Sequence, residues 1–151
     1  MRARRRRLSK VARASIGKEL IFETSDETGT LGFFTILLRE AGINIIHLLG
    51  YSVQNKAYFQ VVVNDPEAAK KILGVHIKNI NVRDVLLVEF ENTVGTLSEV
   101  AKLLGQNDIG MQECYGTSSD GFKIVGVFST EDNSNAMKLI NEASGRLGTV
   151  H

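Results

Sequence analysis

The sequence predicts an α+β protein in which one β-α-β-β-α-β unit occurs twice. Three observations carry this. The chain matches itself at an offset of 66 residues, with Gly29-Thr30-Leu31 falling on Gly95-Thr96-Leu97 and Glu23 on Glu89. Strand-like alternation gives way to helical spacing at matching points in both copies. Short turn signals then split paired apolar runs into hairpins. Further matches hold the register: Leu37-Leu38 on Leu103-Leu104, Ile43 on Ile109, Gly50 on Gly116, Ser52 on Ser118 and Val61 on Val127. Past residue 64 the best offset becomes 67, a one-residue insertion. The boundary falls near Arg83-Asp84, with almost no linker.

Each element follows from its residues. KELIFETS (18–25) alternates Leu20 and Phe22 with Glu23 and Ser25, and DVLLVEFE (84–91) alternates Leu86, Val88 and Phe90 with Glu89 and Glu91. A helix comes next. In the second copy Leu97, Val100, Ala101 and Leu104 form an i, i+3, i+4, i+7 stripe. In the first, TLGFFTILLREA is apolar more nearly all round, which predicts neighbours on more than one side. INIIHLLGYSV and KAYFQVVVN are rich in β-branched and aromatic residues and are separated by Gln54-Asn55. GMQECYGTS and FKIVGVFST are split by Asp120-Gly121, a hairpin signal. Asp65 precedes the helix PEAAKKIL, with Pro66 suited to a first helical position, and Asp132 precedes NSNAMKLINEA. VHIKNINV (75–82) and RLGTV (146–150) read as closing strands. Split βαβ crossovers of this order predict antiparallel four-stranded sheets with both helices on one face, and the strand after the first helix at a sheet edge.

Composition bounds the function classes. The 151 residues are 43% apolar and 23% charged, values ordinary for a soluble globular chain. No apolar run approaches a membrane span. The single cysteine, Cys114, excludes an internal disulfide, suits a cytoplasmic protein, and reads as a small buried residue. Net charge is +1, but seven of the 18 basic residues lie in residues 1–13. The remaining 11, set against 17 acidic groups, leave a mildly acidic body that does not suit nucleic acid. Residues 1–16 read as a basic flexible tail. An anion-binding arm and a transit peptide are both compatible with its composition.

The Gly-Thr-Leu phrase sits where a strand turns into a helix. Main-chain N–H groups of a first helical turn lack intrahelical partners and carry partial positive charge, so a carboxylate can dock there. Simple capping competes with that reading. Thr96 and Glu99 have the spacing of a capping box, which would satisfy the second helix end internally.

The repeat resembles the ACT domain, a regulatory module of amino-acid metabolism. The resemblance rests on Asp26-Glu27-Thr28-Gly29-Thr30-Leu31 with Gly42-Ile43-Asn44-Ile45, and on Asn92-Thr93-Val94-Gly95-Thr96-Leu97 with Asp108-Ile109-Gly110-Met111. It covers residues 18 to about 150. It implies two ferredoxin-like units, 17–83 and 84–151, and a regulatory rather than catalytic role. Thr28 and Val94 stand where the family usually has proline, and Gly110 where the first copy has Asn44. In amino-acid-binding members that asparagine and the first turn contact the ligand across an interface between two domains. The resemblance therefore implies a ligand site at Asp26, Thr28, Gly29, Thr30, Leu31, Asn44 and Ile45. The counterpart Asn92, Val94, Gly95, Thr96 and Leu97 would be a weaker site or a scaffold. A zwitterionic amino acid would find donors in the main-chain N–H groups at 29–31 and an acceptor in Asp26 or the Asn44 side chain.

Three other readings compete with this one. For an enzyme, the sequence offers no paired catalytic set, metal cluster or phosphate loop, and His47, His76 and His151 are scattered. His47, amid Ile and Leu, reads as a structural or surface histidine. For an RNA-binding pair, Lys56, Tyr58 and Phe59 are a faint echo, but adjacent Tyr58 and Phe59 point to opposite faces where base stacking needs alternate positions. A ligand-free dimerisation scaffold stays open. The expectation is a homodimer without cofactor or metal that binds an amino acid or similar small ligand and signals to a regulated enzyme or transcription factor.

Overall fold

The computed structural model describes residues 12–118 and 121–145. The basic residues 1–11, Asp120 and the expected strand 146–150 lie outside them. The elements run β1 (Arg13–Ser25), α1 (Thr30–Glu40), β2 (Ile45–Val53), β3 (Lys56–Val63), α2 (Pro66–Leu73), β4 (Asn81–Glu91), α3 (Thr96–Gln106), β5 (Met111–Ser118), β6 (Lys123–Thr130) and α4 (Asn133–Gly145). They divide into two compact units, Lys18–Asp84 and the residues up to Gly17 together with those from Val85 onward.

The expectation of two separate four-stranded sheets is corrected. The six strands form one hydrogen-bonded order, β2-β3-β1-β4-β6-β5. The reason is continuity. Arg83-Asp84 offers no breaker, so β4 runs straight through the junction. The separate closing strand expected at 75–82 exists only from Asn81. Before it, Ile77 donates its N–H to the Leu73 carbonyl at 2.8 Å and Asn79 turns at φ +59°. β1 likewise starts at Arg13, inside the stretch expected to be tail. Ala12 and Ala14 are buried with the second core, and the Asn141 side-chain amide bonds both the N–H and the carbonyl of Ala14 at 2.8 Å.

In the Lys18–Asp84 unit, β3 pairs antiparallel with both β1 and β2. The hairpin between β2 and β3 turns on Gln54 and Asn55, both at positive φ, as a two-residue I′ turn requires. Alternation sends Leu20, Phe22, Ala57, Phe59, Val61 and Val63 to the helix side, where Phe34, Leu38, Ala69 and Leu73 meet them. Phe34 is fully buried and lies edge-on to Phe22 and Phe59, with ring centroids 5.2 and 4.8 Å away. Tyr58 faces the other way and stacks on Tyr51 at 5.2 Å. That side also buries Val62, Gln60 and Glu19. Glu19 is 0% exposed and held by Arg83, whose Nη2 and Nε lie 2.9 and 3.0 Å from its Oε2.

The second unit repeats the plan. β6 pairs antiparallel with β4 and β5, and Leu86, Val88, Phe90 and Phe128 pack under Val100, Leu104, Ala136 and Ile140. The repeat extends to side chains. Lys56 reaches Glu23 at 3.0 Å, and Lys123 reaches Glu89 at 2.7 Å. Cys114, expected to be buried, is exposed because β5 is the outermost strand.

Two predictions follow from burial. Replacing Arg83 by Met strips a fully buried carboxylate of its guanidinium and is expected to cost about 3 kcal/mol in urea unfolding. The double variant Glu19→Gln/Arg83→Met should recover part of that. His47, half-buried on β2, is held below its ordinary 6.5 by desolvation. The unfolded chain then binds the proton more readily. Its contribution to stability is fully present above about pH 6.5 and falls as pH drops toward the folded value. A series of unfolding curves between pH 7.5 and 5 should show this slope, and His47→Gln should remove the histidine's share of it.

Candidate functional site

The site grows from one backbone feature. β1 ends at Ser25 and α1 begins at Thr30, and Gly29 between them has φ +94°, ψ −4°. A side chain there would be strained even with open space around it, and a Cβ would meet nothing within 4 Å. The turn is pinned at both ends. Asp26 N–H donates to the Asn55 carbonyl at 3.0 Å, and the Thr30 hydroxyl donates to the Glu27 carbonyl at 2.9 Å. The first helical bond runs from Phe33 N–H to the Gly29 carbonyl. The N–H groups of Leu31 and Gly32 therefore have no acceptor among the described residues, and the helix dipole adds partial positive charge to them.

Beside this turn lies an open cavity of about 390 Å³, within the range of small-molecule sites. Asp26, Glu27, Gly29, Thr30 and Leu31 form one side; Leu48, Gly50, Tyr51 and Ser52 of β2 and Ala57 and Phe59 of β3 form the other. Glu27 Oε1 accepts the Ser25 hydroxyl at 3.0 Å, whereas the Asp26 carboxylate has no hydrogen-bond or ion-pair partner among the described residues.

Of the residues singled out from sequence, Asp26, Gly29, Thr30 and Leu31 meet at this cavity. Thr28 is exposed on the turn and is not part of its lining. Asn44 and Ile45 are not brought to it. They follow the far end of α1, and eleven helical residues span about 16 Å. There Asn44 exchanges bonds with Asn64: its N–H donates to Asn64 Oδ1 at 2.9 Å, and its carbonyl accepts Asn64 N–H at 3.2 Å. Ile45 packs against the core.

The β2 and β3 side of the cavity was not foreseen. Its signal was present in the glycine of a strand interior, which marks close approach. A Cβ on Gly50 would sit 3.0 Å from the Phe59 ring.

The second copy keeps the backbone and changes the chemistry. Gly95 has φ +95°, ψ −10°, and Glu99 N–H donates to its carbonyl. The capping box expected at Thr96 and Glu99 is therefore corrected. Gly95 is the cap, and Thr96, one position later and 8% exposed, donates its hydroxyl to the Glu91 and Thr93 carbonyls at 2.7 and 3.0 Å. Asn92 stands where Asp26 does, and its Nδ2 is bound to the Gly121 carbonyl at 3.0 Å. Val94 and Leu97 project into solvent. Gly110, at the Asn44 position, donates its N–H to Glu131 Oε2 at 3.3 Å, and a Cβ on it would collide with that carboxylate at 2.6 Å.

Among the described residues, no three His, Cys, Asp or Glu side chains gather as a metal site would require, and no helix is long and apolar enough to cross a membrane.

Comparison with known proteins places the chain. Residues 16–146 match the ACT domain pair family, and the chain belongs to it. Solved structures share the fold. A protein of Bacteroides thetaiotaomicron is 22% identical, with a TM-score of 0.78 over 85% of this chain and 89% of that one. The regulatory subunit of aspartate kinase from Thermus thermophilus is 13% identical, with a TM-score of 0.67 over 88% and 96%. The corresponding subunit from Thermus flavus is also 13% identical, with a TM-score of 0.61 over 87% and 95%. No curated protein sequence matches.

If the two glycines do the same conformational work, Gly29→Ala and Gly95→Ala should each cost about 1–2 kcal/mol. Thermal unfolding of the two variants should give similar losses. A loss confined to one of them would mean that the turns are not equivalent.

Proposed function

We propose that this chain is a non-catalytic regulatory protein that binds a free amino acid, or a similar small ligand, at the β1–α1 turn of its first unit and signals occupancy to a partner. One observation carries the reading. An uncommitted donor and an uncommitted acceptor belong to residues that line the same cavity: the Leu31 N–H group and the Asp26 carboxylate. That is the complement of a zwitterion, whose carboxylate takes donors and whose ammonium takes an acceptor. Membership in the ACT domain pair family and the aspartate kinase regulatory subunits among its structural neighbours support a regulatory role. The second unit serves as scaffold. Its asparagine is bonded within its own turn and its Gly110 is tied to Glu131.

The partner is an enzyme or transcription factor of the same cytoplasmic compartment. Signalling requires that the ligand bind two states of the protein unequally. Homodimerisation through the first unit is part of this reading. β2 ends the strand order, and Ile46, Leu48 and Val53 on it, with Phe33 and Ile36 on α1, are 40–49% exposed. An edge of that kind invites pairing with a second copy.

Melting of the chain with each of the twenty amino acids tests ligand binding. A ligand at 100 times its Kd should add about 2.7 kcal/mol, and no shift with any of them would leave a scaffold. Sedimentation tests the assembly. The native chain should run as a dimer and Val53→Lys as a monomer, and a native monomer would overturn the dimer.

A further inference from the structure

The second unit carries an unbalanced charge. Residues 85–145 hold nine acidic and three basic residues, a net of −6, whereas residues 18–84 hold eight and seven, a net of −1. Residues 1–11 supply the opposite sign: Arg2, Arg4, Arg5, Arg6, Arg7 and Lys10, with no acid. They join the fold at that unit, because Ala12 and Ala14 are buried in its core and Asn141 clamps Ala14. Their point of entry is fixed along β4. Lys18 pairs with Asp84 at 2.6 Å, and a Cβ on Gly17 would lie 2.7 Å from Leu87 Cδ1. β1 and β4 therefore run in opposite senses, and the residues before Gly17 lead toward the end of β4 that carries Glu89 and Glu91.

That end of the second unit is both acidic and apolar. Glu91 closes β4, Glu99 stands in the first turn of α3, and exposed Glu142 follows Asn141 on α4. Lys123 and Lys138 are matched to Glu89 and Glu142 at 2.7 and 4.0 Å. The Asn92 N–H donates to the Phe122 carbonyl at 2.8 Å, which holds the β4–α3 turn against the β5–β6 hairpin and sets Val94 and Phe122 at one tip. Val94 is 107% exposed and Phe122 78%. In the first unit the matching bond joins Asp26 to Asn55, so Thr28 and Asn55 hold the equivalent positions. The shared backbone frame therefore does not require apolar residues there, and the second copy alone has them.

We propose that residues 1–11 dock on this end of their own second unit, with arginines on Glu91, Glu99 and Glu142 and with Leu8 on Val94 and Phe122. Eleven residues span up to roughly 36 Å, enough to reach all of these from Ala12. Attachment at Ala12 makes the contact intramolecular, at an effective concentration on the order of millimolar. Guanidinium forks match carboxylates, and their approach relieves repulsion among the unit's like charges. Salt opposes the contact, since the screening length falls from about 10 Å at 0.1 M to about 3 Å at 1 M.

The test is amide NMR of the full chain carrying Ala3→Cys and Cys114→Ser, with a nitroxide on the new thiol. A second chain adds Arg4→Gln, Arg5→Gln, Arg6→Gln and Arg7→Gln, and sets the broadening expected from tethering alone. In low salt the arginine chain should show stronger broadening at Glu91 to Val94, at Phe122 and at Glu142, and that excess should vanish near 1 M NaCl, where screening is about 3 Å. Val94→Ser/Phe122→Ser, with its fold checked by melting, should lose part of the excess. Equal broadening in the two chains would overturn the proposal, and this is the result expected if the arginines act only on RNA or on phosphatidylserine vesicles. Excess broadening on residues 18–84 would overturn it as well. So would broadening that passes from nitroxide-labelled chains to unlabelled, isotope-enriched ones in a mixture, since the occupant would then be the arm of a second copy.

Discussion

Everything in each unit depends on a glycine that reverses the chain between a strand and a helix. Gly29 and Gly95 adopt nearly the same conformation, φ +94° and +95°. A residue with a Cβ pays to hold it. The reversal lays α1 over the face that carries Leu20, Phe22 and Phe59, and so lets Phe34 reach both rings. It also leaves the first helical N–H groups pointing at the strand end. Core and candidate site are therefore two results of one turn. The core tolerates little change, because Phe34 and Leu38 are fully buried. The site sits at the rim, where side chains can vary without disturbing the packing.

That separation explains how duplicated units diverge. The main-chain bonds correspond closely: Asp26 N–H to Asn55 and Asn92 N–H to Phe122, Ile43 N–H to Leu38 and Ile109 N–H to Leu104, Asn64 N–H to Asn44 and Glu131 N–H to Gly110. Around this fixed frame the rim has changed. An open carboxylate in one copy is an internally bonded amide in the other. A reciprocal asparagine pair has become a glycine held by a glutamate. Closely matching backbones thus carry different side-chain chemistry at the rim, and likeness of fold alone says little about which copy would hold a ligand.

The element order, the hairpin faces and the helix-side residues were legible because they rest on local periodicity and turn chemistry. Leu20 and Phe22 face the helices for the same reason that Glu23 does not. Tyr58 and Phe59 divide between faces as adjacent strand residues must. What escaped the sequence was non-local or end-dependent. Nothing in Ala12 or Ala14 announces that a tail residue starts a strand; small side chains become informative only once Asn141 is seen to clamp them. Thr96 and Glu99 have the spacing of a capping box, but spacing cannot reveal that the cap falls one residue earlier, on a glycine. The turn side of the candidate site was readable as a motif. The Leu48, Gly50 and Phe59 side was not, since it depends on which strand lies beside that turn.

The uninterrupted course of β4 has a consequence for ancestry and for engineering. The junction of the two copies, Arg83-Asp84, lies in mid-strand, and the second unit takes in residues before Lys18. A cut placed at Arg83-Asp84 would deprive the downstream portion of Ala12 and Ala14 and would truncate β4. The second unit thus draws its residues from both sides of the first in sequence. A graft of the second unit must therefore carry the residues from Ala12 to Gly17 along with those from Val85 onward.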